Sequence, residues 1–232
     1  MIAQGVRLQV LALPERLRAA LRLRPRHVAA LDEDEFRLPD TPAGKDAEAH
    51  LAELGESELV NHSYRTFAWA TALAAGDGLR YDEELLYVAS LLHDLGLAPE
   101  FAPQQEPRPC FTLAGAALAQ QVAQAHGWSA ARSQTAAEAI TMHLNLWVSL
   151  ELGAESHLVH AGAYLDAMGA RYSRVAPETA AWILDRYPRR GTKQALVDLF
   201  RTEAEASPRS RTAFYRRWLM SGVFIRTAPF PE

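Results

Sequence analysis

Along most of the chain apolar residues recur every three or four positions, and from about Ala47 onward the helical period is nearly unbroken. Alanine is abundant and alternating β-branched runs are absent. Gly76 to Gly78 separates two helices, Tyr81-Asp82-Glu83-Glu84 reads as an acidic first turn, and Gly127 after His126 reads as a stop. Pro99, Pro103, Pro107 and Pro109 predict a loop, and Gly153, Gly169, Pro177, Pro188 and Gly191 punctuate the remainder. The pattern predicts an all-α fold: a single helical-bundle domain over residues 47–232 behind an N-terminal extension, residues 1–46. In that extension Leu13, Leu17 and Leu21 space a helix whose other face carries arginines, with a transit peptide or membrane-surface helix as the alternative. Pro39, Pro42 and Gly44 predict a linker after it.

Four apolar stripes are interrupted by groups that titrate. The helix expected from about Asp82 to Gly96 carries Leu85, Leu86, Ala89 and Leu92 and then His93, with Asp94 about 100° further round. His62 shares a face with Thr66, Trp69 and Leu73, and His143 shares one with Ala136, Ala139, Ile140 and Trp147. Asp166 continues the stripe of Val159, Gly162 and Ala163. Any one of these is compatible with a hydrogen-bonded core group. Together they are satisfied most simply by meeting at one cation, because a buried carboxylate without a partner is strongly unfavourable. Imidazole nitrogen with carboxylate oxygen suits Zn, Fe, Mn or Ni.

Composition narrows the classes further. With 24 basic and 28 acidic residues the net charge is −4, which opposes a general nucleic-acid binder. Hydrophobic content of 49% against 22% charged leaves enough apolar surface for a core. The single cysteine, Cys110, excludes a disulfide framework and a multi-cysteine zinc site, and it reads as a spectator. No run of about 18 apolar residues exists to cross a membrane, and the N-terminus lacks secretory-signal features, so a cytoplasmic protein is expected. His27, His50 and His157 read as exposed, and His160 as structural or supporting. The leucine-rich extension leaves a homo-oligomer open.

His62, the His93-Asp94 doublet and Asp166 resemble the H…HD…D signature of the HD-domain superfamily of metal-dependent hydrolases. The wording around them is similar to the cyanamide-hydratase-like branch: Asn61-His62-Ser63-Tyr64-Arg65, Leu91-Leu92-His93-Asp94-Leu95-Gly96, and Leu158 through Asp166. Phe111 through Gly127 and Tyr187-Pro188-Arg189 extend the likeness, which spans roughly Leu59 to Phe200. The resemblance implies an HD fold, one divalent metal held by His62, His93, Asp94 and Asp166, zinc as the usual ion, and hydration of cyanamide to urea. Two positions depart from the branch. Thr112 follows Phe111 where an acidic residue is usual, and Leu144-Asn145-Leu146 replaces a small polar run. Both bear on the small-molecule substrate more than on the metal.

An ion of this kind lowers the pKa of water from 15.7 toward about 7. Asp94 and His143 are the expected proton-handling groups, and Asn61, Arg65 and Asn145 the expected substrate contacts. The loop from Pro103 to Pro109 is expected to act as a lid. Two alternatives stand beside this reading. One is an HD phosphohydrolase, with His126 or His143 aiding a second metal and Arg189, Arg190 and Lys193 clamping phosphate. The other is a non-catalytic HD module that binds a ligand.

Overall fold

Ten helices account for most of the architecture of the computed structural model, which describes residues 28–34, 36–55 and 58–231. They are α1 (Pro42–Ala52), α2 (Glu58–Asp77), α3 (Glu83–Leu92), α4 (Phe111–Ala125), α5 (Ala130–His143), α6 (Ala154–Met168), α7 (Pro177–Arg186), α8 (Thr192–Ala206), α9 (Arg211–Trp218) and α10 (Ser221–Arg226). Among the described residues there is no β-strand beyond an isolated bridge between Ala29 and Val175. The all-α expectation agrees with this.

The expected linker is a helix start. Pro42 occupies the first turn of α1, where its missing N–H has no role, and the Thr41 hydroxyl accepts from the Gly44 N–H at 3.1 Å. The boundary expected between residues 46 and 47 therefore falls inside α1. Upstream, Ala29 pairs its backbone with Arg174 and Ala176, and Phe36 lies edge-on to Trp182 at 5.2 Å. The arginine- and leucine-rich segment up to His27 lies outside the described residues, and with it the proposed oligomer contact. No helix among the described residues is long and apolar enough to cross a membrane.

The acidic turn before α3 behaves as read: Asp82 caps the helix, accepting from the Leu85 N–H at 3.1 Å, while Arg132 of α5 grips its carboxylate at 2.7 Å. Helices α2, α3, α4, α5 and α6 enclose a core that includes Phe67, Leu86, Leu92, Ile140 and Leu158. Each such side chain contributes about 1.5–3 kcal/mol by leaving water. The α2–α6 contact is close because position 162 is glycine: a Cβ there would stand 2.3 Å from the Thr66 carbonyl oxygen. This contact sets the distance between His62 and Asp166. Helices α8–α10 cover the end where Phe111 and Leu144 lie, through Leu196, Tyr215 and Ile225.

Candidate metal centre

Helix α3 stops earlier than its apolar stripe predicts, and the site depends on that. It ends at Leu92; His93 follows as its cap, Asp94 turns out of the helix with φ −108° and ψ 2°, and a short 3-10 turn occupies Leu95–Leu97. On a continuing helix, neighbours in sequence would point about 100° apart and could not meet. With the break, His93 Nε2 and Asp94 Oδ2 come within 3.4 Å. His62 reaches the same place from α2, its Nε2 lying 3.3 Å from His93 Nε2 and 3.3 Å from Asp94 Oδ2. His143, the last residue of α5, approaches the other carboxylate oxygen, with Nε2 3.3 Å from Oδ1. All four side chains are buried, at 1%, 0%, 3% and 3% exposure for His62, His93, Asp94 and His143.

The second nitrogen of each ring decides what the first can do. His93 Nδ1 lies 2.8 Å from the Ser90 carbonyl, and His143 Nδ1 lies 2.6 Å from the Ile140 carbonyl. A carbonyl only accepts, so each Nδ1 carries the hydrogen and each neutral ring presents its Nε2 lone pair. His62 Nδ1 donates likewise to Asp166 Oδ2 at 2.7 Å. Lone pairs thus confront one another and a carboxylate at 3.3 Å, and Asp94 Oδ1 has no hydrogen-bond partner despite being buried. That is an arrangement of donors short of a cation. Of these groups, His62, His93 and Asp94 bring their ligand atoms within 4.8 Å of one another, a set able to hold a divalent ion.

Electrostatics agree. Burial pushes the Asp94 carboxyl up, yet the imidazoles of His93, His143 and His62 gathered against it favour its anion and hold it well below the usual carboxylate range. Burial pushes His62 down, but its bonds to Asp166 and Asp94 raise it above an ordinary imidazole. For His143 burial outweighs Asp94 and the Ile140 carbonyl, which favour its charged form, and its imidazole is lowered. Without a metal, a proton on His62 would take the cation's place.

The structure does not bring Asp166 into this set. Its carboxylate stands behind His62, at the ring nitrogen remote from Asp94. Arg65 holds it through Nε at 2.7 Å and Nη2 at 3.0 Å, the Trp69 indole donates at 2.9 Å, and Arg189 donates at 3.1 Å. Burial raises this carboxyl, and Arg65 and Arg189 more than reverse the effect. With its oxygens so engaged, Asp166 orients His62 and fixes which nitrogen keeps the hydrogen.

The three expected substrate contacts are also committed elsewhere. Arg65 is fully buried and, besides Asp166, donates to the Tyr187 and Pro188 carbonyls at 2.9 and 3.0 Å. Asn61 donates to Pro188 at 2.9 Å, and Asn145 Oδ1 accepts from Arg211 at 2.7 Å. The expected phosphate clamp disperses: Arg189 turns inward to Asp166, and Lys193 donates to the Phe230 carbonyl at 2.7 Å. His157, expected at the surface, is buried and donates to the Val148 carbonyl at 2.8 Å. His160 is buried too, holding the His143 carbonyl at 2.8 Å, and burial lowers its imidazole to about 3.

Trp69, Arg189, Ser90 and Arg211 were not singled out as site residues by periodicity. Arg65 and Trp69 sit three and seven positions after His62, the spacing of one helix face, which is the signal that could have grouped them with Asp166. Arg189 and Arg211 carry no such mark.

Fold and cluster together define a helical domain built around a buried His–His–Asp cluster able to hold a divalent ion. Residues 59–179, just over half of the chain, match the HD domain family, and the chain belongs to it. A comparison with curated proteins finds no match. The family match contains His62, His93, Asp94, His143 and Asp166, whereas α8–α10 lie beyond it.

Proposed function

We propose that this protein is a metal-dependent HD hydratase that adds water to a small nitrile-type substrate, with conversion of cyanamide to urea as the type reaction. The observation that carries the reading is the meeting of three Nε2 lone pairs and one carboxylate with every Nδ1 hydrogen already used. Zinc suits the donor set, as do iron, manganese and nickel; an ion held by His62, His93 and Asp94 would supply Lewis acidity toward the nitrile and a lowered pKa for water.

The chain's own residues supply the rest. Asp166, gripped by Arg65 and Arg189, keeps His62 in one orientation. His143, unprotonated at neutral pH because burial lowers it, accepts the proton that water loses as its oxygen bonds to the nitrile carbon. Asp94 Oδ1, 3.3 Å away, steadies the imidazolium that results. The proton then passes to the nitrile nitrogen, and a shift of the second water hydrogen from oxygen to nitrogen completes the amide. Phe111, buried with its ring 5.9 Å from that of His143, helps keep bulk water out. The segment around Arg108 and Pro109, tied to α8 by Glu203 and Ser207, serves as the lid.

The test is to measure metal per chain and then assay cyanamide hydration beside p-nitrophenyl phosphate and a nucleotide panel. About one ion with urea release supports the hydratase. Phosphate release with about two ions would replace it with the phosphohydrolase. A protein that takes up no metal would leave a ligand-binding module.

A further inference from the structure

Four residues at intervals of four, Glu203 in α8, Ser207 just after it, and Arg211 and Tyr215 in α9, fasten the segments on either side of the candidate site. Glu203 accepts from the Phe111 N–H at 3.1 Å and pairs with Arg108 at 3.3 Å. Ser207 donates to the Arg108 carbonyl at 2.8 Å, and Tyr215 donates to the Leu144 carbonyl at 2.5 Å. Arg211 differs from the other three. Its guanidinium reaches Thr112 Oγ1 at 2.8 Å and Asn145 Oδ1 at 2.7 Å, with Cys110 Sγ at 3.8 Å, and all of these are neutral. It makes no ion pair among the described residues and is only half-buried.

Its two oxygen partners place it. Thr112 follows Phe111, whose ring faces His143, and Asn145 lies two residues beyond His143. Arg211 therefore bridges the two segments that carry the wall of the site, with three of its five N–H donors engaged, the one toward Cys110 weakly, and the others left for an acceptor. The buried carboxylates of the centre and its supports are met without it: Asp166 faces two arginines, Glu203 faces Arg108, and Asp94 would face a divalent ion. A neutral substrate would gain nothing from a further cation here. An anionic one would.

We infer that Arg211 is a specificity-determining residue that receives a carboxylate carried by the substrate, so that the natural substrate is a small carboxylate-bearing nitrile and not cyanamide itself. This rests on the hydratase reading for the nitrile, and on the placement of Arg211 for the carboxylate. A planar guanidinium matches a carboxylate with two parallel hydrogen bonds. A dianionic phosphate would call for more cations, and Arg189 and Lys193 are directed elsewhere.

The test uses metal-loaded protein and three probes that share one nitrile: cyanoacetate, its neutral amide cyanoacetamide, and cyanomethylphosphonate. Affinities are read by calorimetry and hydration by amide release. Wild type is expected to bind cyanoacetate at least about tenfold more tightly than cyanoacetamide, as a charge-assisted pair allows. In Arg211→Gln that gap should collapse, in Arg211→Lys part of it should return, and metal content should stay as in wild type. Equal affinities in wild type would overturn the inference, as would a gap that survives in Arg211→Gln or tighter binding of the phosphonate. Selective cyanoacetate binding that depends on Arg211, with no hydration of any nitrile, would refute the hydratase reading and leave the carboxylate site standing.

Discussion

Replacing Asp166 by Asn separates its two tasks, because the amide keeps the shape and loses the charge. Asp166 and Arg65 are both fully buried, so solvent does not screen the pair, and Arg189 is nearly so. Removing one partner of a buried ion pair leaves uncompensated charge, at a penalty of about 3–5 kcal/mol. For a chain of this size that corresponds to a fall in Tm of about 6–20 °C. Losing the orienting carboxylate behind His62 should also weaken metal binding about 10–100-fold. Chemical denaturation of the metal-free variant reads the first effect, and chelator competition at equal pH reads the second. Arg65→Met combined with Asp166→Asn should be less harmful than the sum of the two changes, since the double variant removes a cation together with its partner. A metal-free Asp166→Asn protein within about 1 kcal/mol of wild type would refute the argument, because the arginines would then not depend on this carboxylate.

Further outcomes follow from the same geometry. Gly162→Ala, forcing a Cβ to within 2.3 Å of the Thr66 carbonyl, should lose about 1–3 kcal/mol in urea unfolding, and an unchanged midpoint would contradict the close α2–α6 approach. His143→Gln should retain its metal while turnover falls about 10²–10⁴-fold; loss of the ion instead would make His143 a ligand. Asp82→Ala should destabilise by about 1 kcal/mol at pH 7 through the lost cap. The Arg132 hydrogen bond holds Asp82 below the usual carboxylate value in the folded state, so this stabilisation is present above the unfolded pKa. It fades as pH falls through the folded value, and the two proteins should therefore converge in stability in acid. A difference that grows on acidification would reverse the assigned sign.

Much of the centre was legible as polarity in the wrong place. His62 and Asp166 each interrupt an apolar stripe, and both are buried against one another across α2 and α6. The His93-Asp94 doublet was legible as residues but not as geometry, because a stripe running to Gly96 gives no sign that the helix breaks at Leu92 and turns Asp94 toward His93. Periodicity also states which face a side chain occupies without naming its partner. Arg65 shares the His62 face, yet its carboxylate is supplied 101 residues later, and only the folded chain shows Asp166 engaged by Arg65 and His62 together. From the sequence Asn61 and Asn145 are expected substrate contacts. Their amides are instead engaged by Pro188 and Arg211, contacts that depend on how loops return from α7 and α8.

Whether His62, His93 and Asp94 hold an ion is tested directly by diffraction recorded on either side of the metal's absorption edge, from crystals of the metal-loaded protein. The predicted result is one anomalous peak at about 2.0–2.2 Å from the Nε2 atoms of His62 and His93 and from a carboxylate oxygen of Asp94, with Asp166 bonded to the far side of His62. A peak elsewhere, or none in protein carrying stoichiometric metal, would contradict it.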